Sequence, residues 1–218
     1  MKLFGLRPVR FVNKLFKIED TYYYYSSREE YYKSLFREDN LKMLYKLVDK
    51  NLPTPVITDQ KIKFRDIEFG TTISEVQKKM GNPRYKINNS QKIENHQILF
   101  YKFKMGGYRT ITQLHFLSDF FFYGSYVFKE LNTASLRKIE EVLDNKYFSS
   151  IDHDAFTSEM VADTDNNRLF VNKGLYLTIK YVSGNRKFHD DVILQMQIKQ
   201  EKKLQAEKRQ HESLQGSL

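Results

Sequence analysis

Residues 69–83 read FGTTISEVQKKMGNP, and this run predicts where one strand ends and one helix begins. Gly70 allows the chain to turn sharply after a strand. Thr72 or Ser74 can cap the following helix, because a short hydroxyl side chain accepts a hydrogen bond from the first turn. Glu75 lies in that first turn, where the helix dipole favours an anion. The run therefore predicts a strand end, a turn and a capped helix.

The same run also predicts where this helix ends. Gly81 suits the position just after a helix, and Pro83 prevents the helix from continuing. Between these two ends, Ile73, Val76 and Met80 recur at three-to-four spacing and form one apolar face. We expect a short helix that packs through this face.

Three strands are predicted downstream, at residues 97–104, 108–117 and 119–128. Met-Gly-Gly at 105–107 and Ser-Asp at 118–119 are typical of tight hairpin turns. This part of the chain therefore predicts a helix followed by an antiparallel aromatic sheet.

The same order recurs in the second half of the chain. A helix is predicted at 133–145, and strands are predicted at 156–162, 168–172, 175–182 and 191–199. Helix followed by aromatic strands thus occurs twice, and we interpret this as an internal repeat.

The flanking regions differ in character. Residues 1–20 form an arm with five basic and two acidic side chains, and residues 28–52 have helical periodicity. Residues 61–69 are predicted to form a strand. From residue 200 the chain is polar and is expected to be a fraying helix or a tail. We therefore predict an α+β protein with an N-terminal helical segment, two tandem helix-plus-antiparallel-sheet units and a tail, divided as 1–55, 56–130, 131–199 and 200–218.

The pattern Gly-x-Thr-x-x-Glu-Val-x-x-x-Met-Gly-x-Pro at 70–83 resembles a signature of one bacterial superfamily. This superfamily contains the β-lactamase-inhibitor-protein-like (BLIP-like) domains and the small outer-membrane assembly lipoproteins of the SmpA/OmlA type. The resemblance implies helices packed on an antiparallel sheet, tandem copies as in the inhibitor, and a habit of binding proteins. The lipoproteins need an N-terminal Cys and the inhibitor relies on disulfides, whereas this chain has Cys 0. The resemblance therefore implies neither β-lactamase inhibition nor outer-membrane assembly, and no functional residue is transferred.

The composition narrows the function classes. Phe 17 and Tyr 15 against Trp 0 predict a largely aromatic core, and the absence of Cys excludes disulfides, thiolate metal sites and a Cys nucleophile. The formal net charge of +9 permits weak attraction to anionic surfaces. Basic residues interrupt the apolar part of 1–18, so we expect no signal peptide and a cytoplasmic location.

The aromatic strands provide the main functional hypothesis. Strict alternation places Phe122, Tyr126 and Phe128 on one face with Gly124, and Phe121 and Tyr123 on the other. Both faces are therefore apolar, and a face without a cover is a partner site. We predict a protein-binding surface that includes Tyr101, Phe103, Tyr108, Phe121 and Tyr123. The alternative is that the N-terminal helix or the Tyr run at 22–25 covers this face.

Other patterns favour structural roles. His115 alternates within a strand and is interpreted as a sheet residue. The His/acid clusters at 152–154 and 189–191 can share a metal only if the fold brings them together. Residues 163–167 mimic the opening of a calcium loop, but Arg168 stands where that loop needs Gly, so a turn is predicted. Lysines alternate with aromatics at 101–109, as in a protected edge hairpin, and we do not expect a nucleic-acid partner.

The leading hypothesis is a non-catalytic protein-binding module with an unknown protein partner and no cofactor or metal. The second is a peripheral membrane protein that residues 1–18 anchor to an anionic surface. The third is a small hydrolase or ligand-binding protein with its site at the Asp/His loops around His153 and His189.

Overall fold

The computed structural model describes residues 27–36, 41–48, 54–147 and 160–215. These residues form five helices and one eight-stranded mixed sheet, which confirms the α+β class. In chain order the elements are α1 (Arg28–Leu35), α2 (Leu41–Val48), β1 (Val56–Ile57), α3 (Ile73–Met80), β2 (Tyr85–Asn88), β3 (His96–Met105), β4 (Tyr108–Leu117), β5 (Phe120–Phe128), α4 (Thr133–Tyr147), β6 (Met160–Ala162), β7 (Arg168–Lys173), β8 (Leu177–Val182) and α5 (Arg186–Gln215).

The chain divides into two compact units, residues 1–37 and residues 38–218. Within the first unit, Ser27 caps α1 by accepting a hydrogen bond from the backbone N–H of Glu30 at 3.1 Å. Tyr31 and Tyr32 of this helix are buried and meet edge to face. All the remaining helices and the sheet belong to the second unit.

The sheet has the order β1-β6-β7-β8-β5-β4-β3-β2. The β1–β6 pair is parallel and every other neighbouring pair is antiparallel. Both predicted helix-and-strand segments, 56–130 and 131–199, contribute to this one sheet, and they meet where β5 pairs with β8 and where β1 pairs with β6. The internal repeat itself stays a prediction.

The helix predicted from residues 69–83 is confirmed as α3. Thr72 is its N-cap, and the Thr72 hydroxyl and the Glu75 carboxylate bond each other's backbone N–H in a capping box. Gly81 ends the helix with φ 80°, a conformation that favours glycine. Val76 is fully buried, so the helix packs through its predicted apolar face.

The two predicted hairpin turns are also confirmed. Gly106 and Gly107 link β3 to β4 with Met105 opposite Tyr108, and both glycines have positive φ. Ser118 and Asp119 link β4 to β5 and have positive φ as well. Both loops have two residues, which fixes the strand register.

A β-bulge in β5 changes the predicted faces of this strand. His115 of β4 lies opposite Tyr123, but the next residue, Phe116, lies opposite Phe121, so Phe122 is an extra residue without an opposite partner. Strict alternation, which placed Phe122 with Gly124 and Phe121 with Tyr123, is therefore wrong on the Phe120 side of the bulge.

Two apolar clusters cover the two faces of the sheet. The front cluster includes Phe64, Val76 of α3, Leu143 and Tyr147 of α4, Leu114, Phe116, Phe121 and Tyr126. The rear cluster includes Leu41, Leu44 and Val48 of α2, Phe188 and Val192 of α5, Ile93, Leu117, Phe122 and Tyr123. Because Leu114 and Phe116 alternate with His115 and Leu117 along β4, the clusters lie on opposite faces.

The strand predicted at 61–69 is wrong. This described segment forms only an isolated bridge between Phe64 and Ile67, around a turn at Arg65 and Asp66. The backbone N–H of Ile62 bonds a side chain, the Asp163 carboxylate, rather than a neighbouring strand. The buried side chains of this segment pack into the front cluster, and its backbone does not extend the sheet.

The strand predicted at 191–199 is also wrong, because these residues lie within α5. Phe188 and Val192, four residues apart, are the buried side chains of this helix. Leu194 and Ile198, which suggested alternation, are exposed. The polar residues that follow are helical through Gln215, so the predicted fraying helix or tail is a helix.

Several boundaries differ from the sequence prediction. The helical region predicted at 28–52 contains two helices, α1 and α2, and β1 and β2 were not predicted. The strand predicted at 156–162 is described only from Met160, and the strand predicted from 175 begins at Leu177. The basic arm and the Tyr run at 22–25 lie outside the described residues.

The close packing around Gly124 generates a stability prediction. A Cβ added there would lie 2.9 Å from Phe64 Cδ2 and 3.0 Å from Phe121 Cζ. We expect Gly124→Ala to lower the free energy of unfolding by about 1–3 kcal/mol, because the aromatic rings must shift. Denaturant unfolding of this variant should be compared with Gly174→Ala, where the nearest atom is 3.5 Å away and no loss is expected. Equal stability of the two variants would contradict the packing argument.

Candidate protein-binding surface

The outer end of the β3–β4 hairpin presents a row of apolar side chains on the front face of the sheet. Tyr101, Phe103 and Met105 alternate along β3, and Tyr108 lies opposite Met105. Tyr101 is 2% exposed, and the other three are partly exposed. Phe103, Met105 and Tyr108 pack against the edge of the front cluster. We call these four residues, together with Arg65, the hairpin surface.

Arg65 holds its guanidinium over this row. The Arg65 Cζ atom lies 4.1 Å from the centre of the Phe103 ring, and the Phe103 and Tyr101 rings stack with centroids 5.7 Å apart. A guanidinium over an aromatic face is attracted by the ring quadrupole. The result is an ordered ladder of one cation and two aromatic rings.

A strained turn positions Arg65. Both Arg65 and Asp66 have positive φ, which is costly for residues with a Cβ. Phe64 and Ile67 flank the turn, exchange backbone hydrogen bonds of 3.1 and 2.9 Å, and are buried. Phe64 also stacks on Tyr126 at 4.4 Å. These anchors compensate the strain and fix the Arg side chain at the surface.

The Tyr101 hydroxyl is unusual for a surface of this kind. Burial raises the pKa of Tyr101 to about 12, so the ring is neutral. In the described chain its hydroxyl has no hydrogen-bond partner. Buried polar atoms normally make a hydrogen bond, so the Tyr101 hydroxyl is an exception to this rule.

The five residues predicted to bind a partner do not form one surface. Phe103 and Tyr108 are partly exposed on the hairpin surface, whereas Tyr101 is buried and contributes to it only by stacking on Phe103. Phe121 and Tyr123 are each 0% exposed, and the bulge at Phe122 places them in the front and rear clusters, respectively. The expectation that these two residues belong to an exposed face is therefore corrected. Gly124 was the available signal, because a glycine inside a strand often marks a bulge.

The basic residues of the hairpin lie on its other side. Lys102 and Lys104 alternate with the aromatic residues of β3, and Arg109 is opposite Lys104. The pleat thus separates the cations of the strands from the aromatic row.

A polar cavity of about 240 Å³ lies between the 61–69 segment, the turn at 163–167 and the link from β8 to α5. Asp163 is buried beside it, and its two carboxylate oxygens accept hydrogen bonds from the backbone N–H groups of Ile62, Asp165 and Asn167 and from the Asn167 amide. Asp163 therefore fixes two loops, and the turn predicted at 163–167 is present. At the rim, Lys61 pairs with Asp165 at 3.8 Å.

The Asp/His loops are described only in part. Residues 152–154 lie outside the described residues. His189 is in the first turn of α5, where its Nε2 atom lies 2.6 Å from the Ser183 carbonyl oxygen. Burial lowers the pKa of His189, so its neutral form is favoured. In the part of the chain that the structure describes, no group of three or more His, Asp or Glu side chains converges as a metal site would.

The histidines at 96 and 115 form a buried polar pair that the sequence patterns did not indicate. The His96 Nε2 and His115 Nδ1 atoms are 2.9 Å apart, and both residues are 0% exposed. The two-residue turn at 106–107 fixes Ile98 opposite His115, two residues from His96. The two histidines are thus diagonal neighbours on the rear face. The hairpin register alone could have indicated this pair.

Comparison of the chain with protein-family models, with curated proteins and with solved structures found no match. The BLIP-like resemblance and the expected cytoplasmic location therefore stay predictions. None of the helices in the described ranges is both long enough and apolar enough to cross a membrane.

The role of Asp163 can be tested by a conservative substitution. Each Asp163 oxygen accepts two hydrogen bonds, so Asp163→Asn must turn an NH₂ group toward two donors. We expect the free energy of unfolding to fall by about 2 kcal/mol or more. The control is Asp165→Asn, which affects an exposed ion pair and should change stability by less than about 1 kcal/mol. The two variants should be compared by denaturant unfolding, and similar losses would contradict the assigned role.

Proposed function

We propose that this protein is a non-catalytic binding module that contacts a protein partner through the hairpin surface. The observation that supports this most directly is that Arg65, exposed on a strained turn, lies over the partly exposed Phe103 ring, which in turn stacks on the buried Tyr101 ring. Strain of this kind persists where the surrounding structure fixes it, and it clusters at binding sites.

The residue types fit a protein interface. Tyr and Arg are enriched among residues that dominate binding energy, and Phe and Met are enriched in interface cores. The two stacked rings are already ordered before a partner arrives. Less side-chain entropy is therefore lost on association than for flexible side chains.

The charges around the hairpin surface indicate the chemistry of the partner. Arg65 is exposed on the hairpin surface itself, and Lys104 and Arg109 are exposed on the opposite side of the hairpin. The chain as a whole carries a formal net charge of +9. We therefore expect a partner with an apolar patch surrounded by carboxylates, since complementary charges raise the association rate.

The two other functions considered from the sequence rest mainly on residues outside the described ranges. The arm proposed to bind an anionic membrane is residues 1–18, and one half of the Asp/His site is residues 152–154. Neither has a supporting observation in the described structure, so both stay predictions.

The proposal predicts that Arg65→Ala weakens partner binding by about tenfold or more, because the cation above Phe103 is lost while the buried anchors of the turn remain. The matched control is Arg109→Ala, which removes the same charge from β4, on the side of the hairpin away from the aromatic row. A photo-crosslinking residue at position 108 in the full chain should identify the partner, and the same residue at the highly exposed position 175 should not capture it. Affinity is then measured for both Arg variants at low and high salt.

These outcomes distinguish a direct contact of Arg65 with the partner from nonspecific electrostatic attraction. A large loss for Arg65→Ala with a small loss for Arg109→Ala, maintained at high salt, supports the proposal. Equal losses that vanish at high salt would show that only net charge matters. Capture from position 175 but not from position 108 would place the interface elsewhere and overturn it.

A further inference from the structure

The buried pair of His96 and His115 forms part of a directional chain of hydrogen bonds. Asn89 Nδ2 lies 2.9 Å from His96 Nδ1, and His96 Nε2 lies 2.9 Å from His115 Nδ1. An amide NH₂ can only donate, so His96 Nδ1 accepts and His96 carries its proton on Nε2. His96 Nε2–H then donates to His115 Nδ1, and His115 carries its own proton on Nε2.

In this arrangement each unprotonated ring nitrogen of the pair already accepts a hydrogen bond, so a further proton must displace one. A second proton on His96 must go to Nδ1, which faces the Asn89 NH₂ group, and a second proton on His115 must go to Nδ1, which faces the His96 N–H. Protonation of His96 requires the Asn89 amide to rotate so that its oxygen faces Nδ1, and protonation of His115 sets the His96 and His115 N–H groups against each other as two donors. Either protonation therefore disrupts the present hydrogen bonds. It also places a charge in an apolar site, which is costly without a counter-ion.

The pair lies in a layer between the sheet and α5. The Phe122 ring centre is 6.1 Å from that of His96 and 6.3 Å from that of His115, and Phe122 in turn packs on Phe188 of α5 at 5.8 Å. Tyr123 meets the His115 ring edge to face at 4.8 Å. Phe122 therefore contacts both histidines and also packs on α5.

The loop that contributes Asn89 is tied to α5 as well. The backbone N–H of Glu94, in the β2–β3 loop, donates to Gln195 Oε1 at 2.9 Å, and Gln195 Nε2 returns a bond to the Glu94 carbonyl oxygen. Ile93 of the same loop belongs to the rear cluster. A shift of Asn89 would therefore disturb the two hydrogen bonds between Glu94 and Gln195.

The charged groups of the surrounding elements do not neutralise a protonated pair. Those of α2, the loop and the first turns of α5 are exposed or partly exposed, namely Lys42, Lys46, Lys92, Glu94, Arg186, Lys187, His189, Asp190 and Asp191. Burial lowers the pKa of His96 to about 3, and burial together with His96 lowers the pKa of His115. No carboxylate of the described chain contributes to either shift.

We propose that the Asn89–His96–His115 chain is an acid-sensitive latch, which holds the β2–β3 loop and the first turns of α5 on the sheet near neutral pH and releases them on acidification. In the closed form both histidines are neutral, whereas in the open form they titrate near the ordinary value of 6.5. The open form therefore gains protons as pH falls below about 6.5, and the closed form is favoured above it.

Hydrogen exchange of the full chain between pH 7 and pH 5 tests the latch, after division by the intrinsic exchange rate at each pH. Amides of 89–95 and 186–196 should lose protection by about tenfold per pH unit for one proton taken up, and by up to about a hundredfold for two. The paired centres of β4, β5 and β8 should keep their protection. Constant protection in the loop and helix, or equal loss in every element, would overturn the proposal.

Two further measurements identify the groups responsible. In the wild-type chain, the ring ¹H–¹³C signals of His96 and His115 should stay at neutral positions while the closed form persists; smooth titration near 6.5 without opening would exclude the latch. His115→Phe should flatten the pH response of 186–196 by about tenfold per pH unit, whereas His189→Gln, which removes a partly exposed histidine of α5 itself, should flatten it by less. If His189→Gln abolishes it instead, His189 and not the buried pair is the sensor.

Discussion

The bulge at Phe122 in β5 is the constraint on which the rest of this structure depends. β5 lies between β4 and β8, so it joins the strands from the first half of the chain to those from the second. Because Phe122 is an extra residue, Phe121 can fill the front cluster while Phe122 and Tyr123 both fill the rear cluster. A regular strand would leave one of the two clusters short of an aromatic ring.

Gly124 shows how closely the front layer depends on this strand. Phe64 packs into the space above Gly124 and stacks on Tyr126, and it contacts Tyr181 of β8 edge to face. The same Phe64 anchors the turn that carries Arg65. The position of the proposed binding residue is thus set by the absence of one side chain on the central strand.

Local signals in the sequence were sufficient where short-range chemistry determines structure. The capping box at Thr72 and Glu75, the Gly81 stop and the two-residue turns at 106–107 and 118–119 each depend on residues within a few positions of one another. These signals predicted α3 and the β3–β4–β5 meander, although not the bulge in β5. They also placed Tyr101, Phe103 and Tyr108 together on one hairpin.

The wrong strand predictions share a different physical cause, which is contact between residues that are far apart in the sequence. Residues 61–69 have the composition of a strand, but Asp163, about a hundred residues away, takes the Ile62 backbone N–H. Residues 191–199 alternate like a strand, yet Phe188 and Val192 bury a helical face against the sheet. Arg65 could not be recognised as a site residue from the sequence, because its place over Phe103 depends on this misassigned segment.

The geometry of the β3–β4 hairpin separates its two proposed roles. Ten paired residues connect the His96 end to the Met105 end, a length of about 30 Å at 3.3 Å per residue. The histidine pair lies on the rear face at one end, and the aromatic row lies on the front face at the other. A charge at the His96 end acts on Asn89, on Phe122 and on the Glu94–Gln195 hydrogen bonds to α5, none of which belongs to the hairpin surface. Energetic coupling between two sites requires a connecting element that can take two arrangements. The β3–β4 strand pairing is continuous between the two ends and has one arrangement. Release of α5 should therefore leave partner binding at the hairpin surface unchanged.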